Sequence, residues 1–326
     1  MKILYLYVNG RSEKHSKVSV GQAPSDFFYG LHELKNRGYE VNFLDVDERT
    51  MQSLTARLLN FFYYKKQVLP CRVTGDLLES LRSYAAEINR YDFVVATTTG
   101  IGFALGLLRL FRIISPNILT LHCGLLNYQY PPLAEKLTQV LLSRSWVQVF
   151  GAAEYQGMME KYSIPPERIE LNEFGIDTSF WTPGGRKGGN GQYILAVGNC
   201  GRRDYDLLIK VAERMGGHFK IVSSQKPRCE IPPNVELVRD RSFFWEEISD
   251  IELRELYRGA LCVVVPLIQT QQPSGQSVSL QAMACGTPVI LTTTLGLWSR
   301  NLLVSWKNIV LVDVGNADQL EEAIKQ

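Results

Sequence analysis

Residues 261–294 read LCVVVPLIQTQQPSGQSVSLQAMACGTPVILTTT. The run LCVVV is short, apolar and β-branched, as expected of a strand buried on both faces. Pro266 ends it, because proline has no N–H to give to a ladder. The polar loop IQTQQPSG leads into an amphipathic helix predicted from Gln276 to Cys285. Gly286 suits its left-handed cap, and Pro288 stops it before a second apolar run, VILTTT. Strand, polar loop, helix, strand is the repeating unit of a parallel α/β sheet. Such a loop sets the first N–H groups of a helix at the carboxyl end of the sheet, where anionic ligands bind in open α/β folds. Ser274, Gly275, Gln276 and Ser277 are small or neutral enough to let a diphosphate approach. Helical spacing puts Ser274, Ser277 and Gln281 on one face. A capped helix with an ordinary polar surface gives the same pattern, so the residues alone leave both readings open.

The same alternation extends outward in both directions. Strand candidates in the first half are residues 2–8, 40–44, 92–97, 117–121 and 146–150; in the second half they are 193–197, 219–223, 235–238, 261–265, 288–293 and 309–313. Amphipathic stretches separate them. Ser25 or Asp26 is placed to cap a helix running to Arg37, ended by Gly38. Further helices are predicted over 250–258 and 318–324. The stretch TPGGRKGGNGQ, residues 182–192, is rich in glycine and charge and reads as a connection between two cores. The chain therefore divides into an N-terminal domain, 1–180, and a C-terminal domain, 181–326. Two parallel α/β domains facing each other across a cleft is the expected architecture.

The chain has 326 residues, enough for two such cores. Its formal charge of +2 and 21% charged residues call for no nucleic-acid partner. Six cysteines, Cys71, Cys123, Cys200, Cys229, Cys262 and Cys285, lie far apart without metal-binding spacing, so no metal is expected. The apolar run after Lys2 is too short for a signal peptide and none is long enough to span a bilayer. The expected location is the cytoplasm, with the inner face of a membrane as a resting surface.

Four segments together resemble glycosyltransferase family four, whose enzymes have the GT-B fold of two Rossmann-like domains. ELYRGALCVVVPL (255–267) followed by SGQSVSLQAMACGTPVILTTTLG (274–296) is similar to that family's C-terminal half. RIELNEFGIDTSFWTPGG (168–185) resembles its interdomain segment, and YILAVGNCGRRDYDLLIKVAER (193–214) its first C-terminal strand and helix. The resemblance implies an enzyme that moves a sugar from a nucleoside-diphosphate donor, UDP or GDP, to a hydroxyl acceptor, lipid- or glycan-linked. It implies retention of configuration, with no metal or other cofactor. A nucleotide-sugar 2-epimerase of the same fold and a catalytically silent nucleotide-sugar-binding subunit are the alternatives.

Transferred residue by residue, the family pattern meets Asn199 where an arginine is usual, leaving Arg202 and Arg203 as the cations for the leaving diphosphate. The family's two glutamates fall on Pro273 and Gln281; Gln281 retains an amide for ribose hydroxyls. His122, at the end of the predicted strand NILTL, matches a histidine near the acceptor. Gly21, in GQAPSD, matches the N-terminal loop that closes on the donor phosphates. Asp45 and Asp47 form a DVD at a strand end, read as a polar strand terminus and not as a metal motif.

Arg57, Phe61, Phe62, Tyr63, Tyr64, Lys65, Lys66 and Arg72 mix aromatics with cations, and LLRLFRII (107–114) repeats the mixture. Such mixtures suit the headgroup region of an anionic membrane. Aromatics packed inward beneath a basic surface are the other reading.

Overall fold

The computed structural model describes residues 1–47, 53–184, 193–238 and 248–326. Most of the expected connection, residues 185–192, lies outside them. The chain forms two compact units, one of Met1–Ser16 with Phe27–Glu173 and one of Lys17–Asp26 with Phe174–Gln326. The expected division at 180/181 thus meets an observed one at 173/174, with a ten-residue N-terminal excursion, Lys17–Asp26, belonging to the second unit.

In the first unit β1 (Lys2–Val8), β2 (Glu40–Val46), β3 (Phe93–Ala96), β4 (Asn117–His122), β5 (Trp146–Val149) and β6 (Ile169–Leu171) form one sheet in the order β2-β1-β3-β4-β5-β6. Every pairing is parallel. The short β6 escapes the sequence pattern because only Ile169 of IEL is buried. In the second unit β7 (Tyr193–Val197), β8 (His218–Val222), β9 (Val235–Val238), β10 (Cys262–Val265), β11 (Val289–Thr293) and β12 (Val310–Asp313) run in the order β12-β11-β10-β7-β8-β9, again all parallel. The second order is the doubly wound Rossmann order; the first is its flavodoxin-like counterpart.

The central strand β7 shows why these runs are apolar throughout. Tyr193, Leu195 and Val197 join one buried cluster with Trp181, Tyr257 and Leu291, while Ile194 and Ala196 join another with Leu208, Phe219 and Val312. Alternate side chains enter opposite layers, so both faces need hydrophobic residues. Each large aliphatic side chain so buried contributes about 1.5–3 kcal/mol.

The helix expected over 25–37 is shorter, Leu31–Asn36, with Gly30 in the left-handed region as its N-cap. Ser25 and Asp26 do not cap it, because their side chains are engaged elsewhere in the second unit, as described below. An additional helix, Arg11–Ser19, carries no apolar stripe and buries no residue, which is why periodicity misses it. It is held at its ends. Asp45 Oδ2 accepts from the N–H groups of Gly10 (3.2 Å) and Ser12 (2.9 Å), placing a carboxylate at the positive end of the helix dipole. The DVD is therefore a polar strand end with a capping role. At the other end Gln22 N–H donates to the Lys17 carbonyl and Gly21 N–H to that of Val18, the paired bonds of a Schellman cap, with Gly21 at φ +70°.

Candidate active site

The strand order of the second unit reverses between β7 and β10, and in open α/β folds ligands bind at the carboxyl ends of the strands at such a reversal. Hydrogen bonds lock the loops there to one another. After β7, residues 202 and 203 run beside 267 and 268: Arg203 forms an antiparallel bridge with Leu267, Ile268 N–H donates to the Arg202 carbonyl (3.0 Å) and Asp204 N–H to that of Pro266 (3.0 Å). After β8, Ser223 Oγ and Ser224 N–H donate to Asn199 Oδ1. After β11, Gly296 N–H donates to the Thr270 carbonyl (2.8 Å). A Cβ at Gly296 would lie 2.4 Å from the Gln272 carbonyl oxygen, so only glycine fits beside this loop.

The helix Gln276–Ala284 rises from this edge. Its N-cap is Gly275 at φ 83°, which supplies no side-chain cap. A helix start without a side-chain cap is a place that favours an anion. Gly275 packs on the sheet so closely that a Cβ would meet Val265 Cγ1 at 2.8 Å. The hydroxyl of Ser274, immediately before it, is buried and has no hydrogen-bond partner among the described residues. Gln276 is buried and Ser277 half-buried. The N-terminal cluster read from the sequence is thus assembled on one loop end.

The two arginines divide. Arg203 is buried, its Nε donating to the Val197 carbonyl (3.0 Å) and Nη1 reaching Cys200 Sγ (3.4 Å). It pins the loop after β7 and, contrary to the expectation, is not a free cation. Arg202 is half-buried and its side chain makes no hydrogen bond or ion pair among the described residues. Of the two guanidinium groups it is the one without a side-chain partner among the described residues.

Gln281 also departs from its expected part. It is buried, and each end of its amide is taken: Oε1 accepts from Tyr257 Oη (3.2 Å) and Nε2 donates to Asp26 Oδ2 (2.8 Å). It therefore does not share an open face with Ser274 and Ser277. Asp26 is the hub of this cluster. Its Oδ2 also accepts from Trp181 Nε1 (2.8 Å), and its Oδ1 from the Asp177 N–H (2.6 Å). Burial pushes its carboxyl above the ordinary range, against the three hydrogen bonds that pull it down. Asp177 reciprocates, accepting from Ser25 N–H (3.0 Å) and Oγ (3.1 Å) on one oxygen and from Ser179 N–H and Oγ and Phe180 N–H on the other. The GID motif at 175–177 thus clasps residues 25 and 26 into the second unit. Asp26 was read as a helix cap in the sequence. Nothing local could mark its partner Gln281, 255 positions away. Gly21, expected in a phosphate loop, belongs to this same excursion as the helix cap already described.

In the first unit His122 is the last residue of β4, as expected, yet it is fully buried. Nδ1 lies 3.0 Å from Thr99 Oγ1, the ring packs on Phe103, and Nε2 has no partner among the described residues. Desolvation lowers its pKa to about 3, so the imidazole is neutral. A direct contact with a substrate hydroxyl is not available to it in this structure. The turn that follows is held by Glu154, whose Oε1 accepts from the N–H groups of Gly124 (2.6 Å) and Leu125 (2.8 Å). Burial raises the Glu154 pKa to about 7 despite these bonds. Because the folded value lies above the ordinary one, its contribution to stability is full below about pH 4.5 and is lost as pH rises towards 7. Glu154→Gln is expected to flatten that decline, roughly 3 kcal/mol across the window, in denaturation midpoints taken from pH 4 to pH 8.

Residues 191–326 match the model of the family described as glycosyl transferases group 1. That match lies within the second unit and spans less than half of the chain. Two curated relatives, the D-inositol 3-phosphate glycosyltransferases of Mycobacteroides abscessus and Mycolicibacterium smegmatis, are each 27% identical over 44% of this chain and 36% of their own length. The chain thus matches little more than a third of each. Among solved structures, sucrose-phosphate synthase from Thermosynechococcus elongatus is similar over 100% of this chain and 89% of its own, at 16% identity and a TM-score of 0.68. Anabaena HepE, solved in complex with UDP and glucose, covers the same shares at 13% identity and a TM-score of 0.65. With its two parallel α/β units, the chain has the GT-B fold. In the second unit, the carboxyl edge of β7 and β10 is the place where the sequence cluster and the strand reversal coincide.

Proposed function

We propose that the chain is a retaining glycosyltransferase that takes a nucleoside-diphosphate sugar on its second unit and passes the sugar to a hydroxyl acceptor. The observation that carries this reading is the uncapped N-terminus of Gln276–Ala284, with the unpartnered, buried Ser274 hydroxyl beside it and Gly275 seated too tightly on the sheet to admit a side chain. Departure of a nucleoside diphosphate places negative charge on its β-phosphate. Fixed N–H dipoles and one guanidinium, that of Arg202, stabilise such charge without reorganising. In this reading these groups meet the charge and no metal is needed. UDP and GDP are the donor nucleotides proposed, and the HepE complexes with UDP and with UDP-glucose support the first.

Gln281 and Arg203 act in this reading as positioning residues, holding the helix and the loop after β7. A second reading, a subunit that binds the nucleotide sugar and leaves it intact, is favoured by one observation. Of the two positions where the family has glutamates, one is Pro273 and the other, Gln281, is committed to Asp26 and Tyr257.

A thermal-shift panel of UDP-, GDP-, ADP- and dTDP-sugars tests the site. A donor at a hundred times its dissociation constant stabilises by about 2.7 kcal/mol, and a rise of several degrees is expected with one nucleotide class. No rise with any donor would sink both readings. A rise without release of nucleoside diphosphate over a range of hydroxyl acceptors would favour the binding subunit. The cytoplasmic face of a membrane is the proposed place of action; among the described residues no helix is long and apolar enough to cross one.

A further inference from the structure

The helix Leu54–Tyr64 of the first unit buries only Ala56. Leu54, Leu58, Phe61 and Phe62 recur at the spacing of one helical face, and that face is turned to solvent: Leu54 is 82% exposed, Leu58 57% and Phe61 46%. Tyr64 beside them is 62% exposed. An amphipathic helix of a globular unit ordinarily presents the opposite arrangement. Of the two readings of this segment, inward-packed aromatics are therefore ruled out, with the exception of Tyr63, whose hydroxyl accepts from the Arg72 N–H. The second segment, 107–114, goes the other way: Leu107, Leu108 and Ile114 are core residues, and Phe111 and Ile113 are its exposed apolar side chains.

Charge surrounds the exposed face asymmetrically. From Ser53 to Gly75 the sequence contains Arg57, Lys65, Lys66 and Arg72 and no acidic residue. All four are exposed. Lys66 lies over the Phe61 ring at 5.7 Å. The nearest acid in sequence, Asp76, accepts from Asn60 Nδ2 (2.8 Å). Where the chain leaves the helix, Val68 N–H donates to the Phe62 carbonyl (3.2 Å). Val68 and Leu69 then form one wall of a groove of about 330 Å³, whose other wall is Leu133, Leu137 and Val140 of the helix Pro132–Leu142, with Lys136 at its edge. Leu133 is 61% exposed. The groove is apolar inside, and Val68 and Leu69 follow the helix closely in the chain.

We propose that this surface docks on an anionic lipid bilayer. The face of Leu54–Tyr64 enters the headgroup boundary, Arg57, Lys65, Lys66 and Arg72 meet lipid phosphates, and the groove takes an acyl or isoprenoid chain. Interfacial helices bind in this way, by apolar area combined with cations at the rim. The surface belongs wholly to the first unit and does not depend on the donor site. It does name the acceptor class that would suit it, a hydroxyl on a lipid head.

Sedimentation with vesicles tests the proposal. Vesicles of equal parts phosphatidylcholine and phosphatidylglycerol are expected to carry the protein down at low salt and to release it as salt rises. Vesicles of phosphatidylcholine alone are expected to retain far less. Lys65→Gln with Lys66→Gln should weaken partition about thirtyfold, and Leu133→Gln about tenfold. All three positions are exposed, and the melting temperature should not move. Absence of binding to the mixed vesicles at low salt, or equal binding by these variants, would overturn the proposal. So would a dimer in sedimentation velocity that Phe61→Ser dissociates, because a second copy would then be what covers the face. The shift caused by nucleotide sugars should be the same in wild type and variants, so that failure here and failure of the donor site are read separately.

Discussion

Arg202→Ala is expected to lower the rate of sugar transfer by about a hundredfold or more while leaving the melting temperature unchanged. The magnitude is that of removing one preorganised group from a site where charge develops. The selectivity follows from the surroundings. Arg202 has no side-chain partner among the described residues, and its backbone is held independently by the Ile268 N–H and by the neighbouring bridge of Arg203 with Leu267. Removing the guanidinium therefore leaves the loop in place and withdraws only the charge. Loss should appear mainly in kcat if the cation meets the leaving diphosphate in the transition state, and equally in KM if it holds the ground-state donor. Arg202→Lys should recover part of the rate, since a point charge replaces a planar fork. Initial rates with the donor found by thermal shift decide it. An unchanged rate for Arg202→Ala would remove this residue from the chemistry.

Asp26→Ala is expected to destabilise the second unit by about 3–5 kcal/mol and to lower its melting temperature by roughly 10 °C. The substitution strands three donors in the interior at once, the Asp177 N–H, Trp181 Nε1 and Gln281 Nε2, each within 2.8 Å of the carboxylate. A buried donor without an acceptor costs about 1–3 kcal/mol. Asp26→Asn should fall between, because one oxygen remains to accept while the amide nitrogen faces donors. Donor affinity should fall with stability, since Gln281 anchors the helix whose first turn faces the diphosphate. Chemical denaturation monitored at Trp181 would measure the effect. A change of less than about 1 kcal/mol for Asp26→Ala would mean the clasp contributes little.

The two substitutions probe residues of unequal legibility. The loop holding Arg202 and the helix start at 274–277 fall where local signals place them: a glycine-bounded loop after an apolar strand, then a helix start. The same locality made most strands readable. β1, β7 and β9 fall at their expected limits because runs such as YILAV must satisfy two hydrophobic layers at once. What sequence reasoning misplaced was polar and dependent on distant partners. Gln281 looked like an open amide on a helix face, and its commitment to Asp26 depends on residues joined only by folding. Arg203 was expected, with Arg202, to serve as a cation for the diphosphate; a carbonyl at the end of β7 and the Cys200 sulfur engage it instead. His122 was placed correctly at a strand end, but its enclosure by Thr99 and Phe103 was not legible. Gly21, expected in a phosphate loop, stands at positive φ as a helix cap.

The sequence by itself determined the two parallel sheets, the small-residue loop before Gln276 and the aromatic-cationic composition of the helix Leu54–Tyr64. Periodicity, proline and glycine act within a few residues of themselves, and that range suffices for strands, caps and turns. Tertiary structure decided which polar side chains remain free. It turned the aromatics of 54–64 outward, tied residues 17–26 to the second unit, and left Arg202 rather than Arg203 with an unspent charge. A buried polar group must find a partner wherever the fold brings one, and partners separated by 255 positions leave no mark on their neighbours in the chain.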